Sequence, residues 1–190
     1  MKIGSHIKKN LFLSFPIMLS QLGHITVGVV DSIMVGKIGV TQLASVSLSN
    51  SLFGFILLFC IGLSYGITPL ISSANNNQKY ISRIFFHGII MNMIFTIFLV
   101  LLVINLKNYL LYLGQDNAVL NYAFPYLDLI CISLIPLILF QTFKQFIEGL
   151  GFTKPAMYIS IFSNVINIIL NFILIFGMFG FPRLEIIGAA

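Results

Sequence analysis

The sequence predicts an all-α membrane protein, a bundle of five complete transmembrane helices followed by the start of a sixth. Of its 190 residues, 58% are hydrophobic and only 8% are charged, whereas a soluble domain carries about 25% charged residues. The mean hydropathy is +1.04. Apolar runs recur along the chain, and about 20 apolar helical residues are enough to cross the hydrocarbon core. Lipid is therefore the expected solvent for most of this chain.

Five runs are long and apolar enough to be spanning helices, at residues 11–35, 46–72, 85–106, 119–143 and 156–176. The first run is too long for a signal peptide and lacks a cleavage site, so we expect it to remain as a helix. The connectors are short, and residues 1–190 form one transmembrane domain. After Glu185 the chain reads Ile-Ile-Gly-Ala-Ala, which resembles the first turn of another helix. We therefore expect a truncated chain.

The net charge of +5 comes from Lys and Arg residues that are scattered between the apolar runs. Nucleic-acid binding requires basic residues concentrated on one face, so it is excluded. Basic residues in short loops instead favour the cytoplasmic side. With a cytoplasmic N-terminus, that side holds seven of them and the other side three. The seven are Lys2, Lys8, Lys9, Lys79, Arg83, Lys144 and Lys154, and the three are Lys37, Lys107 and Arg183.

Asp31 is the only charged residue in the run from Leu11 to Val35. An ionised carboxylate in hydrocarbon costs at least about 2.5 kcal/mol, so such a residue usually faces a cavity, a cation or a partner on another helix. A simpler alternative is that Asp31 lies close enough to the outer surface to stay hydrated. Asp31 is the first candidate for a functional residue.

Polar residues form a stripe on two of the predicted helices. Spacings of three and four residues place them on one helical face. The stripe on the first helix is Ser14, Gln21, His24, Gly28 and Asp31, and that on the fifth is Ser160, Asn164, Asn167 and Asn171. With a cytoplasmic N-terminus, both helices end at the outer surface. Asp31, Asn167 and Asn171 lie toward those ends, so all three fall in the outer half of the bilayer.

A carboxylate and two amide groups at one depth could supply oxygen ligands to a monovalent cation. The carboxylate could instead take a proton or face a cationic drug. Interhelical hydrogen bonding is the alternative for the asparagines, and we favour it for Asn164. For Asn167 and Asn171 the residues alone do not decide. His24 and Gln21 are interpreted as interior polar residues rather than metal ligands.

Two further features of the sequence were considered as functional candidates. Asp128 is a second acid within a predicted span, and it could join a cavity or bond to a neighbouring helix. The segment from Gly62 to Gly66 matches the G-x-S-x-G pattern of hydrolases, but that motif requires a strand-to-helix turn and a His partner. Here it lies inside the second predicted helix, so we predict that the protein is not an enzyme.

Ordered motifs along nearly the whole chain resemble the N-terminal half of the multidrug and toxic-compound extrusion (MATE) family, in its NorM-like bacterial branch. The resemblance rests on Pro16 and Gln21, Val30 to Gly36, Gln42 to Ala44, Gly62 to Ser64, Pro69 to Ile71, Phe140 to Phe143, Glu148-Gly149, Thr153 to Met157, Asn167 to Gly177 and Gly188 to Ala190. Members of the family have twelve helices in two lobes around a central cavity, so this chain resembles the N-terminal lobe without its C-terminal partner.

The resemblance implies a cation-coupled efflux antiporter of the bacterial inner membrane that exchanges Na⁺ or H⁺ for organic cations or drug-like substrates. It assigns cation or proton binding to Asp31, Asn167 and Asn171. It implies no cofactor and no metal beyond Na⁺ at Asp31, and a monomer at full length. For the wall of the substrate cavity we predict Gln21, His24, Asp128 and Gln141.

Two alternatives to an efflux antiporter stay open. One is a lipid-linked oligosaccharide flippase of the same superfamily, which would prefer basic residues in its cavity. The charges that we predict inside the membrane are acids, which argues against it. The other is a non-functional membrane remnant or scaffold, which the abrupt end of the chain favours.

Overall fold

The structure is a computed structural model that describes residues 3–74 and 77–190, and the side chains of residues 11–74, 77–112 and 114–190. Its helices are α1 (Ile3–Gly36), α2 (Val40–Tyr65), α3 (Ile67–Ser72), α4 (Gln78–Leu106), α5 (Asn117–Gly149) and α6 (Thr153–Phe176), with 3-10 turns at Lys107–Leu113 and Glu185–Ala189. Within these residues, five helical segments are long and apolar enough to cross a bilayer. The predicted all-α membrane bundle is confirmed.

Most of the helices extend beyond the apolar runs that predicted them. Hydropathy marks only the part of a helix that lies in hydrocarbon, whereas the backbone hydrogen bonds continue to a capping residue. The side chain of Asn77 accepts a hydrogen bond from the Tyr80 amide at the start of α4, and that of Asp116 accepts one from the Ala118 amide at the start of α5. Gly177 ends α6 with a positive φ of 69°, a conformation that glycine adopts without strain.

The second predicted span, residues 46–72, is two helices rather than one. Helix α2 begins earlier than predicted and ends at Tyr65, and α3 continues from Ile67 after a break at Gly66. The hydroxyl of Thr68 in α3 donates to the backbone oxygen of Gln145, at 3.0 Å, or to its side-chain oxygen, at 2.6 Å. The short helix is thereby held against α5.

Helix α5 occupies the centre of the bundle and contacts α2, α3, α4 and α6. Two serines of α2 attach it to α5 directly. Ser45 donates to the backbone oxygen of Val119 at 2.8 Å, and Ser49 donates to that of Ala123 at 3.2 Å. Small side chains allow the two backbones to approach closely, as is typical of helix pairs in membranes.

Helices α1 and α6 form a second pair along one side of the bundle. Their backbones approach at Gly23, where an added Cβ would lie 2.8 Å from Nδ2 of Asn164. Gly23 therefore provides the space that the Asn164 amide occupies. The 3-10 turn at Glu185–Ala189 packs beside α6, because Gly188 lies against the backbone of Leu174 and Ile175.

The assignment of Lys144 to a cytoplasmic loop was wrong. Helix α5 continues to Gly149, and Lys144 lies inside it with only 8% of its surface exposed. The orientation argument thus loses one of its seven cytoplasmic basic residues and keeps six against three. It also follows that a basic group, and not only acids, lies within a membrane span.

Candidate functional site

Asp31, Asn167 and Asn171 form one hydrogen-bonded group at the interface of α1 and α6. Nδ2 of Asn171 donates to Oδ1 of Asp31 at 2.9 Å and lies 3.2 Å from Oδ1 of Asn167. Asn171 is buried, Asp31 is half-buried and Asn167 is exposed. The structure therefore brings together the three residues that the polar stripes singled out.

The arrangement leaves oxygen atoms free to accept further contacts. Asn171 uses its amide nitrogen in both bonds, so its carbonyl oxygen takes part in neither. Among the described residues, the Asp31 carboxylate accepts a hydrogen bond through Oδ1 alone, which leaves Oδ2. Carboxylate and carbonyl oxygens are the ligands that hard cations prefer. The group has the donor set for a monovalent cation, and its carboxylate can also hold a proton.

A polar cavity of about 210 Å³ lies between α1, α2, α5 and α6. Three of the four predicted cavity residues line it, namely Gln21, His24 and Gln141. Asn167 also lines it, and Asn167 is in turn bonded to Asn171. The cavity and the Asp31 group therefore form one continuous polar region along α1 and α6.

Asp128 lies outside the polar cavity. Its carboxylate pairs with the ammonium group of Lys107 in the 3-10 turn after α4, and it does not line the polar cavity. Thirteen residues separate Asp128 from Gln141, which rotates the two side chains about 140° apart around a helix. Of the two alternatives for this acid, the structure has the bond to a neighbouring element, and the cavity assignment was wrong.

Ser14 departs from the predicted stripe in the same way. It lies on an outer groove formed by α1 and α6 and not in the polar cavity. Ser20, which the stripe omitted, is buried and lines the cavity. Gly28 does not line the cavity either, and its carbonyl oxygen accepts a hydrogen bond of 2.8 Å from the Ser32 hydroxyl.

Besides Ser20, sequence reasoning missed three polar residues of the cavity, Tyr65, Lys144 and Ser163. The Tyr65 hydroxyl accepts a hydrogen bond of 2.7 Å from Nε2 of Gln21, which links α1 to the end of α2. The ammonium group of Lys144 donates to the Ser20 hydroxyl at 2.9 Å. Helical spacing could have found Lys144, since it follows Gln141 by three residues and so shares its face.

The contacts of Ser64, the serine of the hydrolase-like motif, indicate a structural role. Ser64 is buried, donates to the backbone oxygen of Cys60 at 3.0 Å and lies 3.1 Å from Nδ2 of Asn92. His87 instead contacts the backbone oxygen of Arg83 through Nδ1. Within the described residues, no histidine contacts Ser64, so its hydroxyl has no base to activate it.

Comparison with known proteins agrees with this architecture. The sequence profile of the MatE family matches residues 16–173. A probable multidrug resistance protein NorM of Rhizobium meliloti (strain 1021) is 29% identical over 188 residues, which is 98% of this chain and 40% of the relative. A probable multidrug resistance protein NorM of Oceanobacillus iheyensis is 33% identical over 186 residues, covering 96% of this chain and 42% of the relative.

Among solved structures, a crystal structure of MATE in the bent conformation superimposes with a TM-score of 0.86 at 22% identity, over 96% of this chain and 41% of that one. This likeness concerns the fold. The chain thus spans about two-fifths of the length of the relatives that it matches. With its spanning helices and the family profile over most of its length, this chain is a multi-pass membrane protein that belongs to the MatE family.

Proposed function

We propose that this chain forms the N-terminal lobe of a cation-coupled multidrug efflux antiporter of a bacterial inner membrane, with its N-terminus in the cytoplasm. Na⁺ or H⁺ binds at Asp31, with Asn167 and Asn171 supplying oxygen ligands to Na⁺. The observation that carries the proposal is the 2.9 Å bond between Asn171 and the Asp31 carboxylate, beside a polar cavity. The relatives' names, which include multidrug resistance, support the substrate class.

Coupling follows from competition for one negative charge. A cationic substrate in the cavity is attracted by the Asp31 carboxylate, and this attraction is lost when a proton or Na⁺ neutralises the carboxylate. Entry of the ion from outside then weakens substrate binding and favours release. By thermodynamic linkage, the substrate must weaken ion binding by the same factor.

The competition can be measured on the chain itself in lipid nanodiscs, with rhodamine 6G as the cationic probe. We expect Na⁺ that replaces N-methylglucamine at constant ionic strength, or a lower pH, to raise the dissociation constant of the dye. Asp31→Asn should remove this dependence, because the amide keeps the shape of the side chain and loses its charge. Asp128→Asn is the matched control, since it neutralises a membrane acid outside the cavity.

Dye binding that responds to neither Na⁺ nor pH, or that responds equally in the Asp31→Asn variant, contradicts the proposal. A chain that inserts and folds but binds no dye would instead favour the scaffold alternative.

The flippase alternative gains one observation, the buried Lys144 in the cavity wall. A polyprenyl pyrophosphate carries at least two negative charges and calls for several basic groups. Within the described part of the cavity, Lys144 is the single Lys or Arg side chain. Efflux of cationic amphiphiles fits this charge distribution better, and binding of a polyprenyl pyrophosphate in preference to the dye would reverse that choice.

A further inference from the structure

Lys144 is a basic residue buried at the centre of the bundle. It is 8% exposed, and its ammonium group donates to the Ser20 hydroxyl at 2.9 Å. The chain has five acidic residues. All five have described side chains, and the ion pairs within 4.0 Å among the described residues are Lys107 with Asp128 and Arg183 with Glu185, so none of the five carboxylates lies within that distance of Lys144.

Glu148 lies one helical turn from Lys144 and is also buried, so its charge partly offsets that of the lysine without forming a close pair. A buried charge without a direct counter-ion is costly, and an ionisable residue inside a membrane span that faces a cavity is a candidate for a functional residue. Helix stability does not require it, since an apolar residue at this position would cost less.

The surroundings of Lys144 are suited to the anionic end of a substrate. The cavity of about 210 Å³ is smaller than the 300–1,000 Å³ typical of drug-sized ligands, so it can hold one end of such a molecule rather than all of it. The wall of the same cavity includes the amide of Gln141, the imidazole of His24 and the hydroxyl of Ser163. Ammonium, amide and hydroxyl donors are the partners that bind a carboxylate.

The opposite end of the same polar region carries the acid. Ser20, the partner of Lys144, and Asp31 lie 11 residues apart on α1, which is about 16 Å along the helix and about three turns. They consequently share one face of α1. Asn167 lines the cavity and bonds to Asn171, which bonds to Asp31. The lobe thus presents a basic group and an acidic group at the two ends of one polar surface.

We propose that Lys144 is a specificity-determining residue that binds the carboxylate of zwitterionic substrates whose cationic end is directed toward Asp31. This inference rests on the proposed function, because it assumes that the polar region between Lys144 and Asp31 binds cationic amphiphiles. It adds that cationic amphiphiles with a free carboxylate bind more tightly than the corresponding esters.

A matched pair of dyes tests this directly. Rhodamine 6G is the ethyl ester of rhodamine 19, so the two differ in whether a carboxylate is free. We expect the chain in nanodiscs to bind the acid more tightly than the ester. Lys144→Met should weaken binding of the acid about tenfold, as expected for loss of a hydrogen bond to a charged group, and change the affinity for the ester less than twofold.

Lys144→Arg should retain most of the preference for the acid, because the guanidinium keeps the charge. Lys154→Met is the control, since it makes the same exchange at an exposed lysine outside the polar cavity. The affinities for both dyes should be unchanged in that variant.

Equal weakening of acid and ester by Lys144→Met would assign the residue a structural role and overturn the inference. If that variant does not fold, the unmodified chain still decides, because an ester that binds as tightly as the acid contradicts the inference. If the ester binds in a way that depends on Asp31 but the acid binds no more tightly than the ester, only the proposed role of Lys144 is rejected. If neither dye binds, the proposed function and this inference are rejected together.

Discussion

Two polar regions inside this bundle use similar residue types in different ways. Between α2, α4 and α5, Nδ2 of Asn92 lies 3.1 Å from the Ser64 hydroxyl and 2.7 Å from the Thr142 hydroxyl, and all three side chains are buried. Between α1 and α6, the Asp31 group borders a cavity and retains oxygen atoms outside its own hydrogen bonds. The side chains of the first region are buried and bonded to one another across three helices, whereas Asn167 of the second is exposed and lines the polar cavity.

The comparison teaches that composition alone does not separate a structural polar cluster from a site. Asparagine is central to both. Burial and the position of the partners distinguish them, because Asn92 bonds to hydroxyl groups of two other helices, whereas the Asp31 group contains a carboxylate and reaches the cavity through Asn167. Among the described residues, buried polar atoms without a hydrogen-bond partner belong to Asp128, Gln145, Ser160 and Asn164, of which Ser160 and Asn164 line the cavity.

The largest effect on stability is expected in the buried region around Asn92. Asn92→Leu removes both interhelical hydrogen bonds of the amide at a buried position. Each such bond contributes about 0.6 to 2 kcal/mol in membranes, so the free energy of unfolding should fall by about 2 kcal/mol. Unfolding by sodium dodecyl sulfate, followed by circular dichroism, measures this change.

The same variant should leave the Na⁺ dependence of rhodamine 6G binding intact, because Asn92 lies outside the cavity. Asn105→Leu is the control, since Asn105 is exposed and bonds only to the backbone of its own helix, at Leu101. A loss of ion dependence in Asn92→Leu would mean that the two regions are not separate.

An intermediate effect, on function rather than on stability, is expected for Asn171→Leu. The variant removes one oxygen ligand and the hydrogen bond to Asp31. We expect Na⁺ to compete with rhodamine 6G about tenfold less effectively, equivalent to about 1.4 kcal/mol. The free energy of unfolding should change by less than about 1 kcal/mol. A large destabilisation with unchanged ion competition would instead assign Asn171 to helix packing.

The smallest effect is expected for Asp128→Asn. Asp128 pairs with Lys107, and their side chains are 35% and 19% exposed. Ion pairs of partly exposed groups contribute up to about 1 kcal/mol. We expect a change in unfolding free energy below that value and no change in the Na⁺ dependence of dye binding. A change in ion competition as large as that of Asp31→Asn would return Asp128 to the site.

Much of the candidate site could be predicted because it depends on helical periodicity. Asp31 lies on the same face as Gln21 and His24, and Asn167 precedes Asn171 by one turn, whatever the neighbouring helices do. Helical periodicity also fixes the faces of α5 on which Asp128 and Lys144 lie. The 13-residue separation of Asp128 from Gln141 places the two on different faces of α5, and the three-residue step from Gln141 to Lys144 places those two together.

Lys144 was misplaced for a different reason. Charged residues near the end of an apolar run are normally taken to lie in water, and hydropathy cannot tell a solvated lysine from one that enters a cavity. Whether such a side chain extends to the surface or inward depends on what lies opposite it. Here Ser20 of α1 lies opposite, and no property of α5 alone predicts that contact.

The sequence by itself determined that this is a membrane helix bundle, which residues share a helical face and where Asp31 lies along α1, because solvent preference and helical geometry are local properties of the chain. Tertiary structure decided which faces meet. It joined Asn171 to Asp31, paired Asp128 with Lys107, and turned Lys144 toward Ser20. These contacts link residues from 21 to 140 positions apart, so they depend on how whole helices pack and not on any single segment.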